Sequence, residues 1–289
     1  MSIDSFVPEV WSKSLLSSLK KSLVIAAPGV VNRDYEGEIN DQGDTVRINS
    51  ISRPTVAAYV KGTTSIVPEQ LTTAQRSLVV DQAYYFAFEV DDVDARQAAG
   101  NVIPEAMAEA AYSLADTADT YVETLLRAGV ASGNALGAVQ VDGAADVYDL
   151  LLIPLKVKLD EANVPTQGRY CLIPPWVHGR LLGDSRFIDA SASTLSDALS
   201  NGTVGRAAGF ELRVSNNLPL VTGDDYSVIA GHPSACSYAE QINKTEAYRP
   251  EDSFSDAVKG LHLYGAKVVR PDALATALER HRDARRRWG

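Results

Sequence analysis

The chain is poor in the residues that most often carry catalytic chemistry. It has 289 residues, of which two are cysteines and four are histidines. The two cysteines, Cys171 and Cys236, fit neither a disulfide framework nor a metal motif, so we expect buried free thiols. No histidine has a histidine partner four residues away, the spacing of helical zinc sites. His178 follows Trp176 in a predicted helix, and we expect it to pack rather than to catalyse.

Positive charge and long apolar runs are also scarce. There are 27 Lys and Arg residues against 37 Asp and Glu, a formal net charge of -10. This balance argues against a general affinity for nucleic acid and favours solubility. No apolar run approaches the roughly 20 residues that a membrane span needs, and no signal-peptide pattern is present. We therefore expect no membrane partner and synthesis in a cytoplasm.

Two stretches approach known ligand motifs and then depart from them. Asp91, Asp92 and Asp94 begin like a calcium loop, but the glycine position holds Gln97 and the bidentate glutamate is missing. Residues 260–267 (GLHLYGAK) approach a phosphate loop, but alanine replaces the lysine after the second glycine. The sequence therefore predicts no catalytic residue, no cofactor site and no metal site.

Residues 101–128 are predicted to form one long helix, about 40 Å in length. Apolar residues recur there at spacings of three and four: Ile103, Ala106, Met107, Ala110, Leu114, Ala118, Tyr121 and Leu125. Pro104 suits the first turn, and Asp119 and Glu123 are predicted to lie on the remaining surface. Two interpretations stay open at this point: a core helix of an α/β domain, or a spine that carries domains on both sides.

The sequence before this helix predicts a terminal arm, followed by a ribbon of two long strands that are joined by an extended tip. Residues 1–30 contain a short amphipathic helix that includes Trp11 and is too short to be stable alone. Alternating patterns predict strands at residues 45–51 and 78–90. Between them, residues 52–75 are rich in Ser, Thr, Pro and Gly, which is typical of an extended tip.

The region after the helix alternates between helices and strands. We predict a linker at 131–142, helices at 147–162, 174–182 and 193–200, and strands at 170–173, 209–214 and 226–231. Long strands follow at 237–248 and 258–269, with a bulge at Gly265, and a last helix at 272–280. The chain ends in a basic tail with a terminal aromatic residue: Arg280, Arg282, Arg285, Arg286, Arg287 and Trp288.

Several stretches, taken in order, resemble the major capsid proteins of tailed bacteriophages with the Hong Kong 97-like fold. They are FVPEVWSKSLLSSLKKSLV (6–24), YEGEINDQGDTVRI (35–48), VDQAYYFAFEVDDVD (80–94), GRYCLIPPWVH (168–178), GFELRVSNNLP (209–219) and the run 239–275. The resemblance covers nearly the whole chain.

The resemblance implies an α+β fold with five parts. They are an N-terminal arm (1–34), an extended loop (35–90), a peripheral domain with the spine helix (91–143), an axial domain (144–235), and return strands with the basic tail (236–289). It also implies a non-enzymatic protein that assembles as hexamers and pentamers around double-stranded DNA in a virion head. Implied partners are other copies of the chain, a portal and a decoration protein. Many relatives begin with a long cleavable scaffolding segment, whereas this sequence starts directly at the arm. We therefore expect a separate scaffolding protein or prior processing.

Expected contacts between subunits involve Trp11, Tyr59, Lys61, Arg285, Arg286 and Trp288. Some relatives join a lysine of the extended loop covalently to a neighbour. The match around Lys61 is not close enough to transfer that chemistry, so we expect a non-covalent shell. Two alternatives remain: an encapsulin-type cellular shell that holds cargo enzymes, and a stand-alone α/β enzyme.

Overall fold

A computed structural model of the chain describes residues 23–35, 45–51, 54–58, 61, 68–70, 73–91, 102–184, 205–218, 220–222, 225–252 and 255–280. The first strands are β1 (Thr45–Ile51), β2 (Thr73–Val79), β3 (Gln82–Asp91) and β4 (Ala135–Gln140). They are followed by β5 (Tyr170–Ile173), β6 (Arg206–Ala207), β7 (Phe210–Val214), β8 (Leu220–Thr222) and β9 (Asp225–Gly231). The last strands are β10 (Cys236–Tyr248), β11 (Ser255–Val268) and β12 (Leu274–Arg280). The α-helices are α1 (Val102–Ala128), α2 (Ala144–Asp146), α3 (Ile153–Glu161) and α4 (Pro175–Leu182).

Helix α1 confirms the predicted long helix and corrects the face that it buries. The buried side chains are Met107, Ala111, Leu114, Ala115, Ala118, Val122 and Leu126. The helix contacts β3 and β11 of one sheet and β9 of another, so it buries a wider arc than one amphipathic stripe. Asp119 and Glu123 fall inside that arc, and their predicted surface position is wrong.

The predicted ribbon is present, but the segment predicted as its second strand, 78–90, is divided between β2 and β3. β1 and β2 pair antiparallel from Thr45↔Val79 to Ile51↔Thr73. The predicted strand 78–90 breaks after Val79, where the backbone crosses over Gly265: a Cβ there would lie 2.3 Å from the Val79 carbonyl oxygen. Gly265 therefore permits a close backbone approach and is not a bulge. The register of β10 and β11 shifts instead between Ile242 and Lys244.

A three-stranded sheet continues from the ribbon, with the order β10-β11-β3. The main hydrophobic core surrounds α1. A second core cluster joins the ribbon to the three-stranded sheet: Ile48, Leu78 and Val80 pack with Ala239 and Leu263. The base of the ribbon is thus attached to this sheet by buried apolar side chains.

The seven-stranded sheet has the order β4-β12-β9-β5-β7-β6, with β8 paired to β9. It contains two segments for which the sequence prediction is wrong. Residues 131–142, predicted as a linker, contain β4, and residues 272–280, predicted as a helix, contain β12. β12 pairs parallel with β4 and antiparallel with β9, and Leu274 and Ala277 are fully buried. Burial between two strands overrides the helix propensity of its Leu and Ala residues.

The predicted helix 147–162 begins earlier and is irregular. α2 runs into a π-helical segment, Val147–Leu152, before α3 begins. Pro154 lies in the first turn of α3, where it lacks the N–H that a regular continuous helix would use. The helix predicted at 193–200 lies outside the described residues. Within the described part of the chain, no helix is long and apolar enough to cross a membrane.

Candidate functional site

The described residues bring together no catalytic or metal-binding cluster. No group of three or more His, Cys, Asp and Glu side chains is placed to hold a metal ion within these ranges. Cys171 and Cys236 are buried free thiols, as predicted, and burial raises the pKa of each to about 12. Desolvation lowers the pKa of His178, which is half-buried. The notable polar geometry lies instead where the arm and the base of the ribbon are attached to the rest of the protein.

Asp119 anchors the start of the described arm. Its carboxylate accepts hydrogen bonds from the backbone N–H groups of Val24 at 2.8 Å, Ile25 at 3.2 Å and Ala26 at 2.8 Å. Burial raises the pKa of Asp119, while the three N–H groups act in the opposite direction. A helix side chain therefore satisfies three successive N–H groups that the arm would otherwise bury unpaired.

Arg33 forms a second anchor near the end of the arm. Its guanidinium contacts the buried Glu240 carboxylate and lies over the Tyr238 ring, 5.2 Å from the centroid. The Tyr238 hydroxyl donates to the same carboxylate at 2.9 Å, and His262 Nε2 lies 3.4 Å away. Desolvation acts to raise the pKa of Glu240, but the neighbouring His262 ring and the charge of Arg33 outweigh it and hold that pKa below its usual range.

The backbone beside Arg33 joins the edge of β10. The N–H of Asn32 donates to the Cys236 carbonyl at 2.8 Å, and the Asn32 carbonyl accepts from the Tyr238 N–H at 2.8 Å. Together with the Arg33–Glu240 pair, these bonds fix the end of the arm to β10. We call this group of four residues, Asn32, Arg33, Tyr238 and Glu240, the arm clasp.

The ribbon is attached at its base and exposed at its tip. Arg76 of β2 donates to the Val268 carbonyl at 3.1 Å, close to the second core cluster. At the far end, the Thr55 N–H donates to the Glu69 carboxylate at 2.9 Å and so joins the two limbs. Val56 is 94% exposed. Buried side chains therefore hold the base of the ribbon, while its tip exposes an apolar side chain.

Only one of the predicted contact residues can be placed. Lys61 lies in a turn of the ribbon tip with an exposed side chain. The others, Trp11, Tyr59, Arg285, Arg286 and Trp288, lie outside the described residues. Their roles stay predictions.

Sequence reasoning missed an apolar surface on β3. In the alternating pattern of this strand, Tyr84, Phe86 and Phe88 share one face. Tyr85 lies on the opposite face and is 80% exposed. An aromatic residue at an outward position of a strand was the available signal. Tyr84 beside it is 41% exposed, so the two rings form a candidate contact surface.

A buried carboxyl group in the seven-stranded sheet gives the protein a pH-dependent stability. Both carboxylate oxygens of Glu279 in β12 are buried and lack a hydrogen-bond partner among the described residues. Burial raises the pKa of Glu279 to about 8, against the opposing charge of Arg180. Glu279 is therefore protonated in the folded protein at neutral pH.

We expect Glu279→Gln to make the unassembled subunit more stable at alkaline pH. In the unfolded chain Glu279 releases its proton near the ordinary pKa, whereas the folded chain keeps it up to about pH 8. This contribution to stability is therefore complete at acid pH and is lost as the pH rises to about 8. At about pH 9 the variant should exceed the wild type by on the order of 4 kcal/mol, with less than about 1 kcal/mol of difference near pH 5. Thermal melting between these values checks it, with the exposed Glu246→Gln as control; parallel curves for Glu279→Gln and wild type would contradict it.

Comparisons with known proteins indicate a family of structural proteins. A profile described as phage capsid protein matches residues 73–277. A solved structure from Mycobacterium phage Che8 is 34% identical, covers 86% of this chain and 88% of its own, and has a TM-score of 0.69. The capsid structure of the Cyanophage P-SCSP1u is 17% identical, covers 87% and 86% of the two chains, and has a TM-score of 0.68. A chain from the mature capsid of bacteriophage PhiM1 is 18% identical, covers 84% of each chain, and has a TM-score of 0.64. No curated protein matches.

Proposed function

Because the chain belongs to the phage capsid protein family and is a structural component of the head shell, we propose that it assembles as hexamers and pentamers around double-stranded DNA. Its mixed α+β fold is that of phage capsid structures, so the predicted Hong Kong 97-like resemblance is confirmed. The structural role of the family also settles the choice against a stand-alone enzyme.

The single observation that supports this assembly is the ribbon with a buried base and an exposed apolar tip. Ile48 and Leu78 hold the base against Leu263, while Val56 at the tip is 94% exposed. An isolated two-stranded ribbon is marginally stable and an exposed apolar tip is unfavourable in water. Both conditions are relieved when the tip lies on a second copy. Repeated contacts of this kind, each between different surfaces, generate rings when the rotation between copies closes.

We divide the chain as the resemblance implies. The arm is 1–34, the extended loop 35–90, the peripheral domain 91–143 and the axial domain 144–235, with return strands and the tail at 236–289. β12 pairs with β9, which joins the end of the last part to the sheet of the axial domain. Trp11, Tyr59 and Lys61, with Arg285, Arg286 and Trp288, are the proposed contacts between subunits. A scaffolding protein, a portal and a decoration protein are the other proposed partners.

Electron microscopy of the expressed chain, alone and with the other head proteins, tests this function. We expect closed shells, and a denaturing gel of the particles should show a single band near 31.0 kDa, since the contacts are proposed to be non-covalent. Small oligomers under all these conditions would contradict the function, and a ladder of bands would contradict the non-covalent shell. Shells that hold cargo enzymes without DNA would favour the encapsulin alternative.

Truncation after His281 should lower the melting temperature of the shell, because the tail is proposed to contact acidic surface on an adjacent subunit. Arg280, the first arginine of the tail, is held by Asp225 at 2.8 Å, so the tail starts from a fixed point at the end of β12. Ion pairs at the surface contribute up to about 1 kcal/mol each and weaken with salt, so the loss should shrink at high salt. Shell melting in low and high salt measures this. Truncated shells that melt like full-length ones at both salt concentrations would contradict the contact.

A further inference from the structure

Three polar side chains meet in the interior, where helix α1 contacts strand β9 of the seven-stranded sheet. Glu123 of α1 and Ser227 of β9 are both fully buried. Arg127, one turn after Glu123 on α1, places its Nε 3.7 Å from the Glu123 carboxylate. Burial raises the pKa of Glu123, while the charge of Arg127 and the hydroxyl of Ser227 act in the opposite direction because both lie beside the carboxyl.

These neighbouring groups make no direct hydrogen bond within the described part of the chain. Both carboxylate oxygens of Glu123, Nε of Arg127 and Oγ of Ser227 are buried and unpaired there. The 3.7 Å that separates Arg127 Nε from the carboxylate exceeds an N–H···O bond. The hydroxyl of Thr124, next to Glu123, already donates to the Thr120 carbonyl at 3.0 Å. Unpaired buried polar atoms are unfavourable and rare in native proteins, so this group requires a further partner.

The chemistry of the group is that of a water site. A water molecule donates two hydrogen bonds and accepts others, and buried waters typically make about three bonds to otherwise unpaired polar groups. The Glu123 carboxylate accepts, Arg127 Nε–H donates, and the Ser227 hydroxyl can do either. A metal cation fits poorly, because Arg127 offers a positive charge and no acceptor.

We propose that one internal water molecule binds between α1 and β9 and joins Glu123, Arg127 and Ser227. The water donates to the Glu123 carboxylate and to Ser227 Oγ, and it accepts from Arg127 Nε–H. A bridging water explains how Ser227 and Arg127 lie beside the carboxyl without a direct bond to it. In the proposed division of the chain, α1 belongs to the peripheral domain and β9 to the axial domain, so the water joins these two parts of one subunit. The site does not depend on shell assembly.

An experimental structure of the wild-type protein, at a resolution that shows ordered water, tests the site directly. Electron cryo-microscopy of shells or crystals of the unassembled subunit are both suitable. We expect a density peak within about 3 Å of a Glu123 carboxylate oxygen, Arg127 Nε and Ser227 Oγ. A direct hydrogen bond from Ser227 to Glu123, with no peak between the three side chains, would overturn the proposal.

Two variants of Ser227 test the water through the stability of the unassembled subunit. Ser227→Ala removes one partner and leaves room for the water. Ser227→Val adds methyl groups beside the carboxyl and displaces the water, so Glu123 loses its hydrogen bond. We therefore expect Ser227→Val to melt about 3 °C below Ser227→Ala.

The same pair of variants in a Glu123→Met background separates loss of the water from steric crowding. Methionine is similar in length to glutamate and needs no hydrogen bond, so the difference in melting temperature between the pair should disappear. An equal difference in both backgrounds would indicate crowding and overturn the proposal. A Ser227→Val protein that melts at or above Ser227→Ala would overturn it as well. If a double variant does not fold, the density of the wild-type protein decides.

Discussion

Deletion of residues 56–67 should abolish shell assembly and leave the subunit folded. The deletion removes the exposed tip, whereas the base of the ribbon stays attached through Ile48, Leu78 and Val80. The Thr55 N–H already lies 2.9 Å from the Glu69 carboxylate, so the two limbs are close enough for a short connection. Because the described residues of the tip, 56–58 and 61, belong to neither core cluster, its loss should cost the subunit little stability.

The measurement has two parts. Electron microscopy or gel filtration should show shells for the wild type and none for the deletion, while thermal melting shows one cooperative transition for both subunits. A Gly/Ser segment of equal length in place of residues 56–67 is the matched control for ribbon length. It should also fail to assemble, because the contact requires side chains such as Val56. Loss of the cooperative transition in the deletion variant would show instead that the tip is needed for folding.

Substitution of Arg33 by methionine should destabilise the unassembled subunit by about 3 kcal/mol, since it leaves a buried carboxylate without its counterion. The side chains of Arg33 and Glu240 are only 10% and 3% exposed. Methionine keeps much of the apolar stem of arginine, so the change mainly removes charge and hydrogen bonds. Urea unfolding at neutral pH measures the loss.

Two controls separate this effect from a general loss of charge. Lys259→Met removes an ion pair whose side chains are 53% and 52% exposed, and it should cost less than about 1 kcal/mol. The double variant Arg33→Met/Glu240→Gln should recover part of the loss, because no uncompensated buried charge remains. A single variant at Arg33 as stable as the Lys259→Met protein would contradict the arm clasp.

The pH dependence of the Arg33→Met variant provides a further check. In the wild type, the pKa of Glu240 is below its usual range, so its contribution is present above the ordinary glutamate pKa and lost as the pH falls. In the variant, burial acts with less opposition and the pKa should rise. The deficit of the variant should therefore shrink as the pH approaches about 4, where Glu240 takes up a proton.

The candidate site was only partly predictable from the sequence. The composition of residues 52–75 indicated an extended tip, and the exposed Val56 and Lys61 agree with it. The arm clasp was not predictable, because Arg33 and Glu240 are far apart in the chain and no local pattern connects them. Asp119 was likewise predicted to lie on the surface, because no local pattern shows that the backbone N–H groups of Val24 and Ala26 bind its carboxylate.

The sequence by itself determined the elements whose signals are local. Helical spacing over 101–128 predicted α1, alternation at 45–51 predicted β1, and a short buried run predicted β5, because side-chain periodicity reports which face of an element meets a core. Only the tertiary structure decided the outcome where partners come from distant parts of the chain. Residues 274–280 have helix-forming composition, yet pairing with β4 and β9 makes them a strand, because hydrogen bonds and burial on both sides outweigh propensities of less than about 1 kcal/mol per residue. The break between β2 and β3 also depends on distant residues. It lies where the backbone at Val79 crosses Gly265, and that crossing is a contact between the ribbon and the sheet.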